Sequence, residues 1–408
     1  MTADLSPKIK LADRMGRFLP SASQAAAQQA RNLAAAGRDI ISLTAGEPDF
    51  PTPDHVKVAA MAAMGREETK YTNRDGSPEM KRAVIEKFRR DNGLCYQPDQ
   101  IIASTGAKQV IFNALMATVE SGDEVIVPAP HWLSYPDMVR LVGGEAVIVP
   151  CPAERQFKLQ PNDLEAAITP ASRWLIFNTP GNPAGAVYSA DEIAALAAVL
   201  IRRPHIGIIS DDIYEHLRYD HLPFISLAQY SHELYRRTLC VNGVSKAYAM
   251  TGWRLGYGAG PAHLIQAMAN VQGQSTACPS SIGQAAAIAA LMGPQELLPE
   301  RAAIMQARRD LICGLLNACP GLSCQAPGGA MYIFCSCAGL IGARMPDGGR
   351  IESDGDFTAF LLDAAGIAVV SGAAYGLSPY IRISFALPEA DLAAAAARIH
   401  TACDKLRL

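Results

Sequence analysis

The chain has 408 residues, of which 50% are hydrophobic and 18% charged, and these values predict a globular protein of two domains with a large core. The formal net charge of −3 gives no electrostatic reason to expect a nucleic acid or a membrane surface as a partner. The ten cysteines lack metal-ligand spacing, residues 1–17 contain no apolar run suited to a signal peptide, and no stretch reaches the roughly 18 apolar residues of a membrane span. We therefore expect a cytoplasmic protein with reduced thiols and without a metal site or a membrane segment.

The first hundred residues are predicted to be mainly helical. Gly37 ends an alanine-rich and glutamine-rich segment, as glycine commonly does after a helix. The loop 44–53 contains three prolines and must connect elements rather than belong to one. The elements predicted in this region are helices at residues 21–36, 55–64 and 78–92 and a short strand at residues 40–43.

From residue 101 onward, short β-branched runs alternate with helical segments. This alternation is typical of a parallel α/β sheet. Further helices are predicted after residues 261, 280 and 295, the last continuing to residue 317. The seven predicted strands are residues 101–103, 124–127, 145–149, 174–177, 206–209, 239–241 and 255–259.

Beyond Pro320 the pattern becomes mixed and antiparallel. Strands are predicted at residues 330–335, 367–370 and 380–384, and helices at residues 356–365 and from residue 389. We predict an α/β fold with a large domain, residues 46–300, whose seven-stranded and mostly parallel sheet is wrapped by helices. A smaller α+β domain is predicted for residues 301–408, completed by the N-terminal segment 1–45.

Lys246 is the first candidate for chemistry. It follows the predicted strand 239–241 and the turn Asn242-Gly243, and it lies between Ser245 and Arg254, a hydroxyl and a guanidinium that both suit a phosphate group. An amine beside a phosphate site suggests a Schiff base with pyridoxal phosphate.

Pyridoxal chemistry also needs a carboxylate for the ring nitrogen and an anion site for the phosphate. Asp211 follows the predicted strand 206–209 at the sheet edge where ligands bind in open α/β folds, and Tyr214 is three residues further on. The turn that contains Gly106 and Ala107 lies between a strand and a helix, where free amides stabilise a phosphate.

Three further residues can complete such a site. Trp132 follows a strand end and could stack on a flat cofactor. Asn182 lies in a turn fixed by two prolines and two glycines. Arg382 alternates with isoleucines on a short strand and, if it points inward, offers a fork for a carboxylate.

Taken together, these motifs resemble the fold-type I pyridoxal phosphate enzymes, and specifically the class I aminotransferases of the bacterial aspartate aminotransferase branch. The resemblance covers residues 41–386. It rests on Ala45-Gly46-Glu47-Pro48-Asp49-Phe50, Asn182-Pro183-Ala184-Gly185, Ser210-Asp211-Asp212-Ile213-Tyr214-Glu215-His216, Ser245-Lys246 with Gly252-Trp253-Arg254-Leu255-Gly256-Tyr257, and Tyr380-Ile381-Arg382-Ile383-Ser384.

The resemblance implies roles for individual residues. Lys246 is implied to bind pyridoxal 5'-phosphate covalently as a Schiff base and then to act as acid and base. Asp211 is implied to pair with the pyridine nitrogen, and Tyr214 and Asn182 to bond the ring oxygen. The residues implied to hold the phosphate are Gly106, Ala107, Ser245, Arg254 and, from the neighbouring subunit of a homodimer with shared active sites, Tyr71.

The resemblance also implies how the substrate is bound. Arg382 would bind the α-carboxylate, Trp132 would stack on the ring, and Gly46 and Asn182 would contact the substrate. Lys108 would assist recognition of acidic side chains. The predicted reaction is therefore a ping-pong transfer of an amino group from aspartate to 2-oxoglutarate.

Alternatives remain open at this point. The nearest is the same chemistry on alanine, an aromatic or another amino acid, and the next is a lyase that cleaves a carbon–sulfur bond. A cofactor-binding regulator without turnover belongs to a different class, and neither terminus resembles the DNA-binding module that it would need. Leu19 precedes Pro20 where branch members that accept prephenate often have a basic residue, which argues against prephenate.

Overall fold

The computed structural model describes residues 9–18 and 20–407. Residues 1–8, Leu19 and Leu408 lie outside it, and with them part of the predicted N-terminal segment. The twelve strands of the described residues are β1 (Ile41–Ser42), β2 (Ile101–Ser104), β3 (Glu124–Ala129), β4 (Glu145–Pro150), β5 (Ser172–Asn178), β6 (Gly207–Asp211), β7 (Thr238–Gly243), β8 (Gly256–Ala259), β9 (Tyr332–Ser336), β10 (Ile367–Ala368), β11 (Val370–Ser371) and β12 (Tyr380–Ser384).

The same residues form fourteen α-helices and six short 3-10 helices. None of these helices is both long and apolar enough to cross a bilayer. The helices are α1 (Ala22–Ala35), α2 (Asp54–Gly65), α3 (Pro78–Asn92), α4 (Ala107–Thr118), α5 (Ser134–Val142), α6 (Pro161–Ala167), α7 (Ala190–Ile201), α8 (Leu227–Tyr230), α9 (His232–Tyr235), α10 (Ala262–Gly273), α11 (Ser281–Met292), α12 (Leu297–Asn317), α13 (Asp354–Ala365) and α14 (Glu389–Cys403).

Local sequence signals explain several helix ends. The Ser77 side chain accepts a hydrogen bond from the Met80 amide at the start of α3, and Pro78 occupies the first turn. Gly93 ends the same helix with a φ of 64°, a left-handed conformation that glycine adopts without strain. Ser189 and Glu192 form a reciprocal capping box at the start of α7. Such ends are fixed by the sequence before any tertiary contact is made.

The large sheet contains seven strands in the order β2-β8-β7-β6-β5-β3-β4. Six of them run parallel, whereas β8 is antiparallel to both of its neighbours, β2 and β7. Apolar residues cover both faces, as expected of a sheet buried between helices. Val125 and Val127 of β3 pack on one face with α4 and α10, and Ile126 packs on the other with α7. The predicted α/β fold and its seven strands are confirmed.

The C-terminal part of the chain forms a separate small sheet. Strands β11, β12 and β9 are antiparallel, and they share a core with α12, α13 and α14. The predicted single strand at residues 367–370 is in fact two strands, because β10 pairs in parallel with β1 whereas β11 pairs with β12. The N-terminal strand β1 therefore joins the C-terminal elements. The division of the chain at residues 45 and 300 remains a prediction.

Candidate active site

A cavity of about 760 Å³ opens at the edge of the large sheet where β5, β6 and β7 end. This is the edge at which open α/β sheets bind ligands. Eleven of the thirteen site residues predicted from the sequence line it: Gly46, Ala107, Lys108, Trp132, Asn182, Asp211, Tyr214, Ser245, Lys246, Arg254 and Arg382. Gly106 and Tyr71 do not line it.

Lys246 reaches the cavity from the connection that follows β7. A turn in which the Ala249 amide donates to the Lys246 carbonyl brings the lysine to the surface of the cavity, and its amine donates a hydrogen bond to the Gly46 carbonyl. Burial, together with the nearby cations Arg382 and Arg254, lowers the pKa of Lys246 to about 8, whereas Glu47 opposes this effect. The amine is therefore partly neutral near pH 8 and can act as a nucleophile or a base.

Asp211 is the last residue of β6 and is buried. The Tyr135 hydroxyl donates to its Oδ2 atom at 2.6 Å, and the Ile213 amide donates to Oδ1 at 3.4 Å. Burial raises the pKa of Asp211 to about 6, although these hydrogen bonds and Lys246 favour the ionised form. A carboxylate in this setting gains most from a cationic partner, such as a protonated pyridine nitrogen.

Asn178 connects two of the predicted residues. Its side-chain amide donates to the Asp211 carbonyl at 2.7 Å, and its Oδ1 atom accepts from the Asn182 amide at 3.0 Å. The last residue of β5 thus orders both the end of β6 and the turn that carries Asn182. Asn182 is itself buried, and its Oδ1 atom lies 3.4 Å from the guanidinium of Arg382.

Tyr214 faces the cavity together with Tyr332, a residue of β9. The two hydroxyl oxygens are 3.0 Å apart. Burial raises the pKa of Tyr214 well above its usual range, so its hydroxyl stays protonated and can donate a hydrogen bond. The Lys246 amine lies 5.8 Å from the centre of the Tyr214 ring.

A cradle for an anion forms where β8 meets the start of α4. Ala107 is the first residue of that helix, so its amide has no partner within the helix and lies at the positive end of the helix dipole. Arg254 precedes β8, and Ser245 lines the same part of the cavity. A Cβ atom on Gly106 would lie 2.5 Å from the Arg254 guanidinium, so glycine keeps that guanidinium against the helix. These groups fit a phosphate ester.

Arg382 lies at the centre of β12 and is 3% exposed. One of its terminal nitrogens donates to the Thr44 carbonyl at 2.6 Å, and the group packs on the Tyr332 ring at 4.4 Å. Its Nε atom has no hydrogen-bond partner, and no carboxylate among the described residues forms an ion pair with it. A buried guanidinium without a counter-ion is costly unless a ligand supplies the anion.

Lys108 and Trp132 form another wall of the cavity. The Lys108 amine lies 4.7 Å from the centre of the Trp132 ring, and Trp132 packs edge-on against Tyr135. Burial lowers the pKa of Lys108, and the charge of Arg254 adds to this effect. The flat Trp132 surface and the amine beside it suit a planar ring and an acidic group.

The charges around the cavity are unbalanced in favour of anionic ligands. Five cationic side chains face two carboxylates, and this excess fits a ligand with a phosphate and a substrate with one or two carboxylates. The cations are Arg31, Lys108, Lys246, Arg254 and Arg382, and the carboxylates are Glu47 and Asp211. The residues present therefore fit pyridoxal phosphate.

The comparison with protein families decides the assignment. A family model described as aminotransferase class I and II matches residues 38–399. The chain belongs to the aminotransferase class I and II family. The aminotransferase activity and the dependence on pyridoxal phosphate predicted from the sequence are thereby confirmed.

Individual relatives of this aminotransferase agree with the family. The aspartate aminotransferase of Rhizobium meliloti is 55% identical over 370 residues, which cover 91% of this chain and 90% of the relative. The aspartate/prephenate aminotransferase of Cereibacter sphaeroides is 53% identical over 393 residues, 96% of this chain and 98% of the relative. A crystal structure of aspartate aminotransferase from Rhizobium meliloti superposes with a TM-score of 0.95 at 52% identity, covering 98% of this chain and all of that one.

Two predicted residues of the aminotransferase lie apart from the cavity. The Gly106 amide donates to the Ser104 carbonyl at 2.7 Å, so it is already hydrogen-bonded within the chain. Tyr71 is 90% exposed and does not line the cavity of its own chain. Their predicted contacts with the phosphate remain predictions.

Some residues of the site were not assigned from the sequence. Glu47 lines the cavity and accepts a hydrogen bond from the Thr251 hydroxyl at 2.7 Å. Tyr135, Asn178 and Tyr332 contact the predicted site residues Asp211, Asn182 and Tyr214 through the hydrogen bonds described above. Both Tyr135 and Asn178 stand at strand or helix ends beside predicted site residues, and this adjacency is the signal that could have identified them. Tyr332 carries no comparable signal.

Proposed function

We propose that this aminotransferase moves the amino group of L-aspartate to 2-oxoglutarate by a ping-pong reaction. The observation that carries the proposal is a pair of cationic side chains, Arg382 and Lys108, on different walls of one cavity. Neither forms an ion pair within 4.0 Å among the described residues. Aspartate and 2-oxoglutarate both have two carboxylates, and each cation can bind one of them.

The residues take the following roles in the proposal. Pyridoxal phosphate, when bound, supplies a conjugated ring that accepts the electron pair of the breaking Cα–H bond. Lys246 holds the cofactor and, once released, removes the proton from the substrate Cα and returns it. A pKa of about 8 leaves roughly a tenth of this amine neutral and able to remove a proton at pH 7.

The remaining groups position and polarise the reactants. Asp211 would keep a proton on the ring nitrogen of the bound cofactor, because that positive charge would stabilise the buried carboxylate. Tyr214 and Asn182 would donate hydrogen bonds to the ring oxygen. Arg382 orients the substrate by its α-carboxylate, so that the Cα–H bond faces Lys246.

The substrate assignment is tested by a panel of amino donors and acceptors. We expect aspartate with 2-oxoglutarate to give the highest kcat/KM, above alanine and aromatic donors. Addition of aspartate alone should replace the absorption of the lysine-bound cofactor by that of the pyridoxamine form. A change with alanine or an aromatic amino acid, but not with aspartate, would refute the substrate while leaving the reaction class intact.

Lys108 provides a sharper test of dicarboxylate recognition. In the variant Lys108→Met we expect kcat/KM for aspartate to fall about tenfold, because one charge-assisted contact with the distal carboxylate is lost. Alanine lacks that carboxylate, so its kcat/KM should stay unchanged and serves as the internal control. Equal losses for both donors would show that Lys108 does not recognise the side chain.

Prephenate is a second candidate acceptor. The Cereibacter sphaeroides relative at 53% identity is named for aspartate and prephenate. Leu19, on which the prediction against prephenate rests, lies outside the described residues. Prephenate therefore belongs in the acceptor panel, and a kcat/KM within tenfold of that for 2-oxoglutarate would overturn the prediction.

We further propose that two copies of the chain form a homodimer in the cytoplasm. Helix α2 is apolar on two faces: Val56 and Ala60 are buried against α11, whereas Val58 and Met61 are 57% and 58% exposed. An exposed apolar face of this kind favours a protein interface. The ten cysteines are all free, as is typical of a reducing compartment. Sedimentation velocity should give twice the chain mass, and a monomer at micromolar concentration would contradict the dimer.

A further inference from the structure

A network of buried polar side chains lies beside the active site but outside the cavity. Its centre is Glu215, which is 3% exposed. The Lys87 amine donates to the Glu215 carboxylate and also to Asn92 Oδ1 at 2.7 Å. The amide of Asn92 donates to Glu215 at 2.8 Å, and that of Asn242 donates at 2.7 Å. Both carboxylate oxygens are therefore satisfied by fixed donors.

The network joins three segments of the chain. Lys87 and Asn92 belong to the last turns of α3. Glu215 directly follows Tyr214 in the loop after β6, and Asn242 lies near the end of β7, just before Ser245 and Lys246. One carboxylate thus ties the loop that carries the ring-binding residues to the strand that leads to the catalytic lysine.

A metal ion does not explain this cluster. Ligand atoms of Asp91, Glu215 and His216 lie within 4.8 Å of one another, an arrangement that could hold a cation. The Lys87 ammonium already contacts Glu215 and lies 4.0 Å from Asp91, so the chain supplies its own cation there. Two charges removed from water add little to stability compared with an apolar pair of similar volume. A role in positioning active-site residues accounts for the network better than metal binding or stabilisation of the fold does.

We propose that Glu215, neutralised by Lys87, is a positioning residue that fixes Tyr214 and Asp211 relative to Lys246. The inference rests on the proposed function, because it concerns residues that act on the same cofactor. The effect is transmitted through the backbone of the loop after β6 and of β7, since neither Glu215 nor Lys87 lines the cavity. Loss of the carboxylate contact should leave the site assembled but displace Tyr214 from the ring oxygen.

The test uses the holoenzyme and the variants Glu215→Gln, Lys87→Met and the double variant. The pH titration of the absorption of the lysine-bound cofactor reports on the hydrogen bonds to its ring. We expect its midpoint to shift by about 0.5 pH unit or more in Glu215→Gln, in the same direction as in Tyr214→Phe. We also expect kcat to fall about tenfold, with KM for the amino donor changed less than threefold.

The double variant separates positioning from stability. Lys87→Met alone leaves the buried carboxylate with only His216 as an ion-pair partner among the described residues, whose Nε2 atom lies 3.3 Å away, and should lower Tm strongly. The double variant removes the charges of both Lys87 and Glu215 and should recover Tm. The titration midpoint of the double variant should nevertheless remain shifted from that of the parent. If Lys87→Met does not fold, the double variant still carries the test.

Lys158→Met is the matched control, because it breaks a partly buried ion pair with Glu192, and neither of these residues lines the cavity. It should lower Tm slightly and leave the titration midpoint unchanged. A parent-like midpoint and kcat in both Glu215→Gln and the double variant would overturn the inference. A parent protein that neither absorbs as a lysine-bound cofactor nor transaminates would instead refute the proposed function.

Discussion

At the scale of single residues, the surroundings of Lys246 set when its amine can react. Burial and the cations Arg382 and Arg254 lower its pKa to about 8 from the usual 10.5. Only the neutral amine attacks a carbonyl, so the rate at which the apoprotein binds pyridoxal phosphate covalently should rise with pH through about 8 and then level off. Stopped-flow absorption at a series of pH values measures this profile.

Substitutions of Arg382 test the cause of that profile. Arg382→Met removes a positive charge, so the pKa of Lys246 should rise and the midpoint of the rate profile should move to higher pH. Arg382→Lys keeps the charge and should keep the midpoint near that of the parent. An unchanged midpoint in Arg382→Met would mean that the charge of Arg382 does not lower the pKa of Lys246.

At the scale of elements, the contact between β8 and the start of α4 shapes the phosphate cradle. A Cβ atom on Gly256 would lie 2.2 Å from the Ala107 amide nitrogen. Because this nitrogen is a backbone atom, relief of the overlap would require the main chain to move, which costs stability. We expect Gly256→Ala to weaken the binding of pyridoxal phosphate to the apoprotein at least about tenfold and to cost about 1–3 kcal/mol of stability. Equilibrium titration and thermal unfolding measure the two effects.

Gly252→Ala is the control for that substitution. Gly252 belongs to the same connection between β7 and β8, but a Cβ atom there would meet nothing within 4 Å. Cofactor affinity and Tm should both remain close to the parent values. If Gly252→Ala and Gly256→Ala behaved alike, the close approach of β8 to α4 would not be the cause.

The sequence predicts most elements because their signals are local. Helix α3 has its predicted bounds, since Ser77 and Gly93 mark its two ends. The sequence predicts residues 367–370 as one strand, whereas the structure has β10 and β11, because β10 pairs with β1 near the other end of the chain while β11 pairs with β12. The same limit applies to the site: Tyr135 bonds Asp211 across 76 positions, and Tyr214 meets Tyr332 across 118. Such contacts depend on the packing of the whole chain.

At the scale of the whole molecule, the proposed dimer has a consequence for activity. If Tyr71 reaches the phosphate of the neighbouring subunit, the variants Tyr71→Ala and Lys246→Ala each lack one part of the site. A mixed dimer of the two has one site with both parts intact, formed by Lys246 of one subunit and Tyr71 of the other. We expect mixing after partial unfolding to restore activity well above that of either variant alone.

The outcome of the mixing experiment distinguishes active sites shared between subunits from active sites formed within one subunit. Restored activity in the mixture would support shared sites, with each variant refolded alone as the control. No gain over the separately refolded variants, despite verified mixed dimers, would show that Tyr71 acts within its own subunit or not at all. The exposure of Tyr71 in the single chain, 90%, argues for the shared arrangement.

The antiparallel direction of β8 also decides how the cofactor and the substrate are held. Because β8 returns to the edge that β7 has just left, one short connection carries both Lys246 and Arg254. The two proposed anchors of the cofactor therefore belong to one stretch of chain. Arg382 belongs to a different sheet, β11-β12-β9. The groups proposed to hold the cofactor and the group proposed to hold the substrate α-carboxylate are thus carried by separate parts of the fold that meet at one cavity.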